Sequence, residues 1–323
     1  MQPNSIACCD FPTTVLFIDD KQNYLNQIQL GLDEDLLYSF YTNPEQAIEF
    51  IKQNYKPTPY IKKWLTNDHT DVDVTAIHQQ IYTPNRFNEV SLVIVDYDMP
   101  IMNGLEFCQK LGDLPIKKLM LTGRAGYDLG VEALNNGIVD RFILKGSDEF
   151  ESNFNRIIKN MQQQYFYDLS KPILQSLSLN PYYCLNNPAF LSLFREVCAE
   201  QNVTEYYLIK DTGCFLLVDM SGNISWLAVK NEREMQHDYE LAKNNETLRK
   251  LSDTIKLREK LLFYLNSRDL TNQLEKNRQN YLYPANKIQN EHETMYYSII
   301  EGAQRYDIDK SKITAFQQHL NTL

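Results

Sequence analysis

With 323 residues, 43% apolar side chains and a net charge of −10, the chain holds enough material for about two domains with real cores. No apolar run approaches the roughly 18 residues of a membrane helix, and Met1-Gln2-Pro3-Asn4-Ser5 lacks the charged-then-apolar order of an export signal, so a cytoplasmic protein is expected. Six cysteines without a CxxC pair and five dispersed histidines speak against zinc and against a disulfide framework.

The acidity is uneven. Residues 1–167 carry 22 acids against 14 bases, and residues 168–323 carry 20 against 18. Neither half has the basic footprint of a nucleic-acid binder, so nucleic acid is not an expected partner.

From Thr13 to about Phe166, short apolar strands alternate with amphipathic helices. The first strand covers 14–19 and a helix follows near 22–32. Leu36–Tyr41 reads as the second strand. Asn43-Pro44-Glu45 opens the next helix, with Asn43 as cap and Pro44 in the first turn. Strands are predicted at 91–95, 117–121 and 139–144, and helices at 104–111, 128–136 and 148–165. This alternation predicts a parallel sheet covered on both faces. About 35 further residues, roughly 55–89, intervene before the third strand. Tyr60–Leu65 and Thr75–Tyr82 look helical there. The insertion leads into the N-terminal end of that strand, whereas sites in open α/β sheets lie at the C-terminal ends. It is expected to face a partner or the second domain, or else merely to cover a helix.

The pattern changes near Lys171-Pro172. Asn187–Gln201 reads as a capped helix, and Glu205–Lys210, Cys214–Asp219 and Ile224–Lys230 read as an antiparallel meander. Asp211-Thr212-Gly213 and Ser221-Gly222-Asn223 are its turns. Tyr206, Tyr207, Phe215 and Trp226 are its expected core. From Asn231 onward the sequence looks helical, with breaks near Ser267 and Pro284. A helix over 232–266 would set Leu248, Leu251, Ile255, Leu262 and Leu265 at heptad-like spacing, interrupted by Arg258, and would either pack on its own domain with a solvated outer face or form a dimer seam.

Four strands of the first half end in residue types that share one chemistry. Val15-Leu16-Phe17-Ile18 runs into Asp19-Asp20, Leu92-Val93-Ile94-Val95 into Asp96, Lys118-Leu119-Met120-Leu121 into Thr122, and Arg141-Phe142-Ile143-Leu144 into Lys145. In this order they resemble the receiver domain of two-component response regulators. The resemblance covers residues 13–166. It implies a flavodoxin-like, doubly wound, five-stranded parallel sheet of order 2-1-3-4-5, within a first domain at 1–167. Residues 168–323 would form a second, α+β output or interaction domain.

The resemblance also implies roles. Asp96 is the phosphoacceptor. Asp20 and Asp96 bind Mg²⁺ directly, Asp19 through water, and the main-chain carbonyl of Asp98 completes the set. Three converging carboxylates repel one another, and a hard, oxygen-preferring cation relieves that repulsion. Thr122 and Lys145 neutralise phosphoryl oxygens, and Thr122 with Phe142 forms the conformational switch. Asp98 and Arg124 are expected to modulate the pocket mouth as an ion pair. Where the family has proline after the lysine, this chain has Gly146, so that peptide bond is expected to be trans.

The implied protein is a bacterial, phosphorylation-dependent response regulator. Its partners would be a sensor histidine kinase or phosphotransfer protein, with a homodimer through 128–165 or the 232–266 helix as a further candidate. The C-terminal half is expected to signal as a non-catalytic sensory or interaction module, PAS-like at the level of fold only. No enzymatic activity is expected beyond the receiver's own phosphorylation and dephosphorylation. The alternatives are a transcriptional regulator touching DNA through an unrecognised fold and a receiver controlling an unrecognised enzyme.

Overall fold

In the computed structural model the described residues are 5–55, 79–123, 127–177, 184–210, 212–246, 248–264, 281–289, 294–302 and 308–322. In chain order the strands are β1 (Cys9–Asp10), β2 (Thr14–Ile18), β3 (Tyr38–Tyr41), β4 (Val90–Asp96), β5 (Lys117–Thr122), β6 (Arg141–Leu144), β7 (Val203–Lys210), β8 (Cys214–Asp219), β9 (Ile224–Asn231), β10 (Lys260–Leu262), β11 (Leu282–Pro284), β12 (Asn286–Gln289) and β13 (Thr294–Glu301). The α-helices are α1 (Gln22–Gln29), α2 (Pro44–Asn54), α3 (Gly104–Leu111), α4 (Tyr127–Asn135), α5 (Asp148–Leu177), α6 (Pro188–Glu200), α7 (Glu232–Asn244), α8 (Ser252–Lys256) and α9 (Phe316–Leu320).

Two compact units emerge. The first holds described residues of 11–59 and 84–171, the second those of 3–10, 60–83 and 172–323. Residues 5–10, assigned to the first domain from sequence, thus belong with the second unit, where β1 pairs antiparallel with β7.

The first unit is a five-stranded parallel sheet of order β3-β2-β4-β5-β6. This is the flavodoxin-like order expected. Its central strands are apolar on both faces because both are covered. Val15, Phe17, Leu92, Ile94, Leu119 and Leu121 pack with Leu25 and Ile28 of α1 and Ile157, Ile158 and Met161 of α5. Leu16, Ile18, Val93, Val95 and Met120 turn the other way, towards α2, α3 and α4. Helix α2 starts where Pro44 cannot donate and Asn43 accepts the Glu45 amide.

Helix α5 runs on through Pro172 to Leu177, past the end expected at 165. Its extra turns are tied down within the first unit. Lys117, at the start of β5, donates to Asp140 at 3.0 Å and to Asp168 at 2.5 Å. Burial alone would raise the Asp168 carboxyl, but hydrogen bonds from Lys117 and Lys171 outweigh it and hold it below its ordinary value. Tyr165 adds a hydrogen bond to Glu89, and Phe166 meets Phe11 edge-on.

The second unit is built on a six-stranded antiparallel sheet of order β1-β7-β8-β9-β13-β12. The expected meander is its centre, and Tyr207, Phe215 and Trp226 are fully buried. Half-buried Tyr206 stacks edge-on against Phe194 of α6. Asn187 caps α6 by accepting the Ala189 and Phe190 amides. Gly213 turns the chain between β7 and β8 at φ +96°, a left-handed conformation that favours glycine; Asp211 lies outside the described residues.

The region after Asn231 departs from the helical expectation. Helix α7 stops at Asn244, a short 3₁₀ turn and α8 follow, and the chain then enters β10. Arg258, at φ +62°, ends the helical stretch. No single helix spans 232–266. Leu248, Ile255 and Leu262 instead converge with Ala242 and Tyr281 in an internal core. Leu251 is half-buried and Leu265 lies outside the described residues. A heptad seam on one helix is therefore corrected to three elements folded over one cluster. Beneath it, Lys230 and Asp238 form a buried ion pair at 2.5 Å, and the Tyr264 hydroxyl donates to Asp238 at 3.2 Å.

The insertion's expected helix Tyr60–Leu65 lies outside the described residues, as does the first half of Thr75–Tyr82; residues 79–81 are helical. Ile81 is fully buried, and the Tyr82 hydroxyl accepts the Asp309 amide at 2.7 Å within the second unit. No helix among the described residues is long and apolar enough to cross a membrane.

Candidate functional site

The parallel register decides which strand ends meet. Ile18 of β2 pairs with Val95 of β4, so Asp19 and Asp96 emerge at one level. Thr122 of β5 pairs with Leu144 of β6, which brings Lys145 out beside them. The result is a carboxylate nest: one ligand oxygen from each of Asp19, Asp20 and Asp96 lies within 4.8 Å of the others. Lys145 bridges two of them, its Nζ 2.6 Å from Asp19 Oδ2 and 2.8 Å from Asp96 Oδ1. The second oxygen of Asp19 accepts the Lys21 amide at 2.9 Å.

Asp19 and Asp96 are almost wholly buried. Burial pushes the Asp96 carboxyl above its ordinary value; Lys145 opposes this and the Asp19 charge adds to it. Asp20 Oδ1 and Asp96 Oδ2 are buried without any hydrogen-bond partner. Unpaired buried acceptors are costly, and two aimed at one crevice match a hard cation with oxygen ligands. The residues present therefore fit Mg²⁺.

Thr122 is fully buried and its hydroxyl donates to the Gly123 carbonyl at 3.0 Å. Phe142 is half-buried and packs on the cluster beneath α4. A Cβ at Gly130 of α4 would stand 3.0 Å from the Phe142 ring, so glycine leaves room for that aromatic. The peptide bond before Gly146 is trans, as expected, and Gly146 takes φ +71°. Asp98 is exposed. Arg124 lies outside the described residues, and with it the expected ion pair to Asp98.

Two residues at the site had no role assigned to them from the sequence. One is Gly104, at the start of α3, where a Cβ would come within 2.4 Å of the Asp96 carbonyl oxygen. Gly104→Ala is expected to push the Asp96 backbone away and to cost about 1–3 kcal/mol of stability, read as a lower denaturant midpoint. An unchanged midpoint would show that α3 yields without strain.

The other is Tyr24, in the first turn of α1. Lys145 Nζ sits 4.1 Å from its ring centroid, and its hydroxyl is buried without a partner. Burial, with the charges of Asp19 and Asp96, pushes its phenol far above the ordinary value, so it keeps its proton. Its position four residues after Asp20 is the signal that could have found it.

The profile described as the response regulator receiver domain matches residues 56–152, which include Asp96, Thr122 and Lys145 but not the acidic pair. Among solved structures, the Legionella pneumophila response regulator LqsR is 35% identical with a TM-score of 0.81, the match covering 100% of this chain and 97% of that one. An adenylate cyclase from Rhodopirellula baltica matches at 25% identity and TM-score 0.37, over 51% of this chain and 97% of that one. A response regulator receiver domain protein from Clostridium thermocellum matches at 15% identity and TM-score 0.33, over 50% of this chain and 98% of that one. No curated protein matches the chain.

Proposed function

This chain belongs to the response regulator family, and from that premise we propose that it is switched by phosphorylation of Asp96 from a histidine kinase or phosphotransfer protein in the presence of Mg²⁺. The observation that carries the reading is the buried nest of Asp19, Asp20 and Asp96 closed by Lys145. Bound Mg²⁺ would neutralise carboxylate and phosphoryl charge in the pocket, held by Asp19, Asp20, Asp96 and the Asp98 carbonyl.

The chain's own residues do the rest. A carboxylate oxygen of Asp96 forms a bond to phosphorus while the P–N bond of the donor phosphohistidine breaks, and the electron pair leaves with the imidazole nitrogen, which takes up a proton. Lys145, preorganised at Asp96, stabilises the charge that spreads over the phosphoryl oxygens. Thr122 gives up its bond to Gly123 and donates to another oxygen. That rotation vacates space towards which Phe142 moves, altering the surface of 128–165. Residues 168–323 carry the response as an interaction module.

The test is exposure of the full chain to acetyl [³²P]phosphate with Mg²⁺. Label is expected on wild type and absent from Asp96→Asn or when EDTA is present. Equal label on Asp96→Asn would remove the reading.

A further inference from the structure

Four buried side-chain polar atoms among the described residues have no hydrogen-bond partner, and three share one pocket: Asp20 Oδ1, Asp96 Oδ2 and the Tyr24 hydroxyl. The two carboxylate oxygens accept, and so call for a cation. The phenol is different in kind, because it is a donor. A buried donor left unpaired costs free energy, and native structures keep such groups where something else completes them. Two carboxylates of the nest already contact Lys145, whose ammonium rests on the Tyr24 ring face. The phenol is thus held beside a cation and close to the acids, yet donates to none of them. What it lacks is an anionic oxygen entering the pocket.

We propose that Tyr24 is a phosphoryl ligand of this receiver, its hydroxyl donating to an oxygen of the phosphoryl group on Asp96 while its ring face steadies Lys145. This rests on the reading of Asp96 as acceptor and adds a side chain to it. Lys145 and Thr122 supply donors from the ends of β6 and β5, and Tyr24 supplies one from α1, on the other flank of Asp96. Its ring and hydroxyl have separable tasks. Tyr24→Phe keeps the cation–π contact and removes only the donor, whereas Tyr24→Leu removes both.

The probe is beryllofluoride with Mg²⁺, a phosphoryl mimic, titrated into the full chain and followed by ¹⁹F NMR. Tyr24→Phe is expected to weaken beryllofluoride about tenfold, the worth of one hydrogen bond to a charged group. It should also shift the resonance of one bound fluorine and leave Mg²⁺ affinity unchanged. Tyr24→Leu is expected to weaken it further. Wild-type affinity and spectrum in Tyr24→Phe would overturn the proposal and leave the acceptor reading standing. A parallel loss of Mg²⁺ affinity would overturn it too, since Tyr24 would then act on the fold of the pocket. Failure of wild type to bind beryllofluoride would overturn both readings.

Discussion

Lys145→Met is expected to slow labelling from acetyl phosphate by about 10²–10³-fold, the usual loss when a preorganised charge-stabilising donor is removed. The ammonium touches both Asp19 and Asp96 and is largely shielded from water, so its field is weakly screened. A second result should run the opposite way. Lys145 competes with a divalent cation for two of the three nest carboxylates, so Lys145→Met is expected to bind Mg²⁺ more tightly than wild type. Calorimetry alongside the labelling assay separates the two effects. Slower chemistry with tighter metal identifies an electrostatic role. Slower chemistry with weaker metal would mean that the lysine only props the pocket open.

The second large effect lies in the other unit and concerns stability. Lys230 and Asp238 are both nearly inaccessible, 4% and 1% exposed at the side chain, and 2.5 Å apart. Removing one partner strands a buried charge. Asp238→Ala is therefore expected to destabilise the chain by about 3–5 kcal/mol, while a paired apolar replacement, Lys230→Met with Asp238→Leu, should recover most of it. Denaturant unfolding of the single and double variants tests this. If Asp238→Ala unfolds at the wild-type midpoint, water reaches the lysine and the pair is not closed off.

The first unit was legible because its strands are buried on both faces. Runs such as Leu92–Val95 need no partner to be recognised, and a polar residue after such a run marks a strand end. The same logic placed Asp19, Asp96, Thr122 and Lys145 at the ends of strands in one sheet, and the register sets those ends side by side. It missed Tyr24 because a single aromatic in an amphipathic helix has the same appearance whether it packs or binds. It gave Gly104, at the end of the run from Leu92, no role for a different reason: the requirement for glycine comes from the carbonyl of Asp96, a contact made only after α3 docks.

The later half was harder to read for a reason that Leu248, Ile255 and Leu262 make plain. Their seven-residue spacing is what a helical seam requires, yet each sits on or beside a different element and all three reach one core. Periodicity reports that residues share an environment, and continuity of the backbone is a separate condition. Here Asn244 ends α7 and the left-handed Arg258 breaks the stretch again. Strand β13 reads as helix in the sequence because one of its two partners is remote, although β12 pairs with it locally. Met295–Glu301 is held by β9, from Ser225 to Asn231, and tertiary pairing of that kind outweighs local propensity.

The pairing of Cys9 with Tyr207 and Asp10 with Tyr206 has a consequence for biosynthesis. Strand β1 is synthesised about 200 residues ahead of its partner β7, a wait of roughly 10–40 s at ordinary elongation speeds. The parallel sheet between them can close during that interval. Cys8 and Cys9, both sealed in the finished protein, are exposed thiols on the nascent chain over that interval.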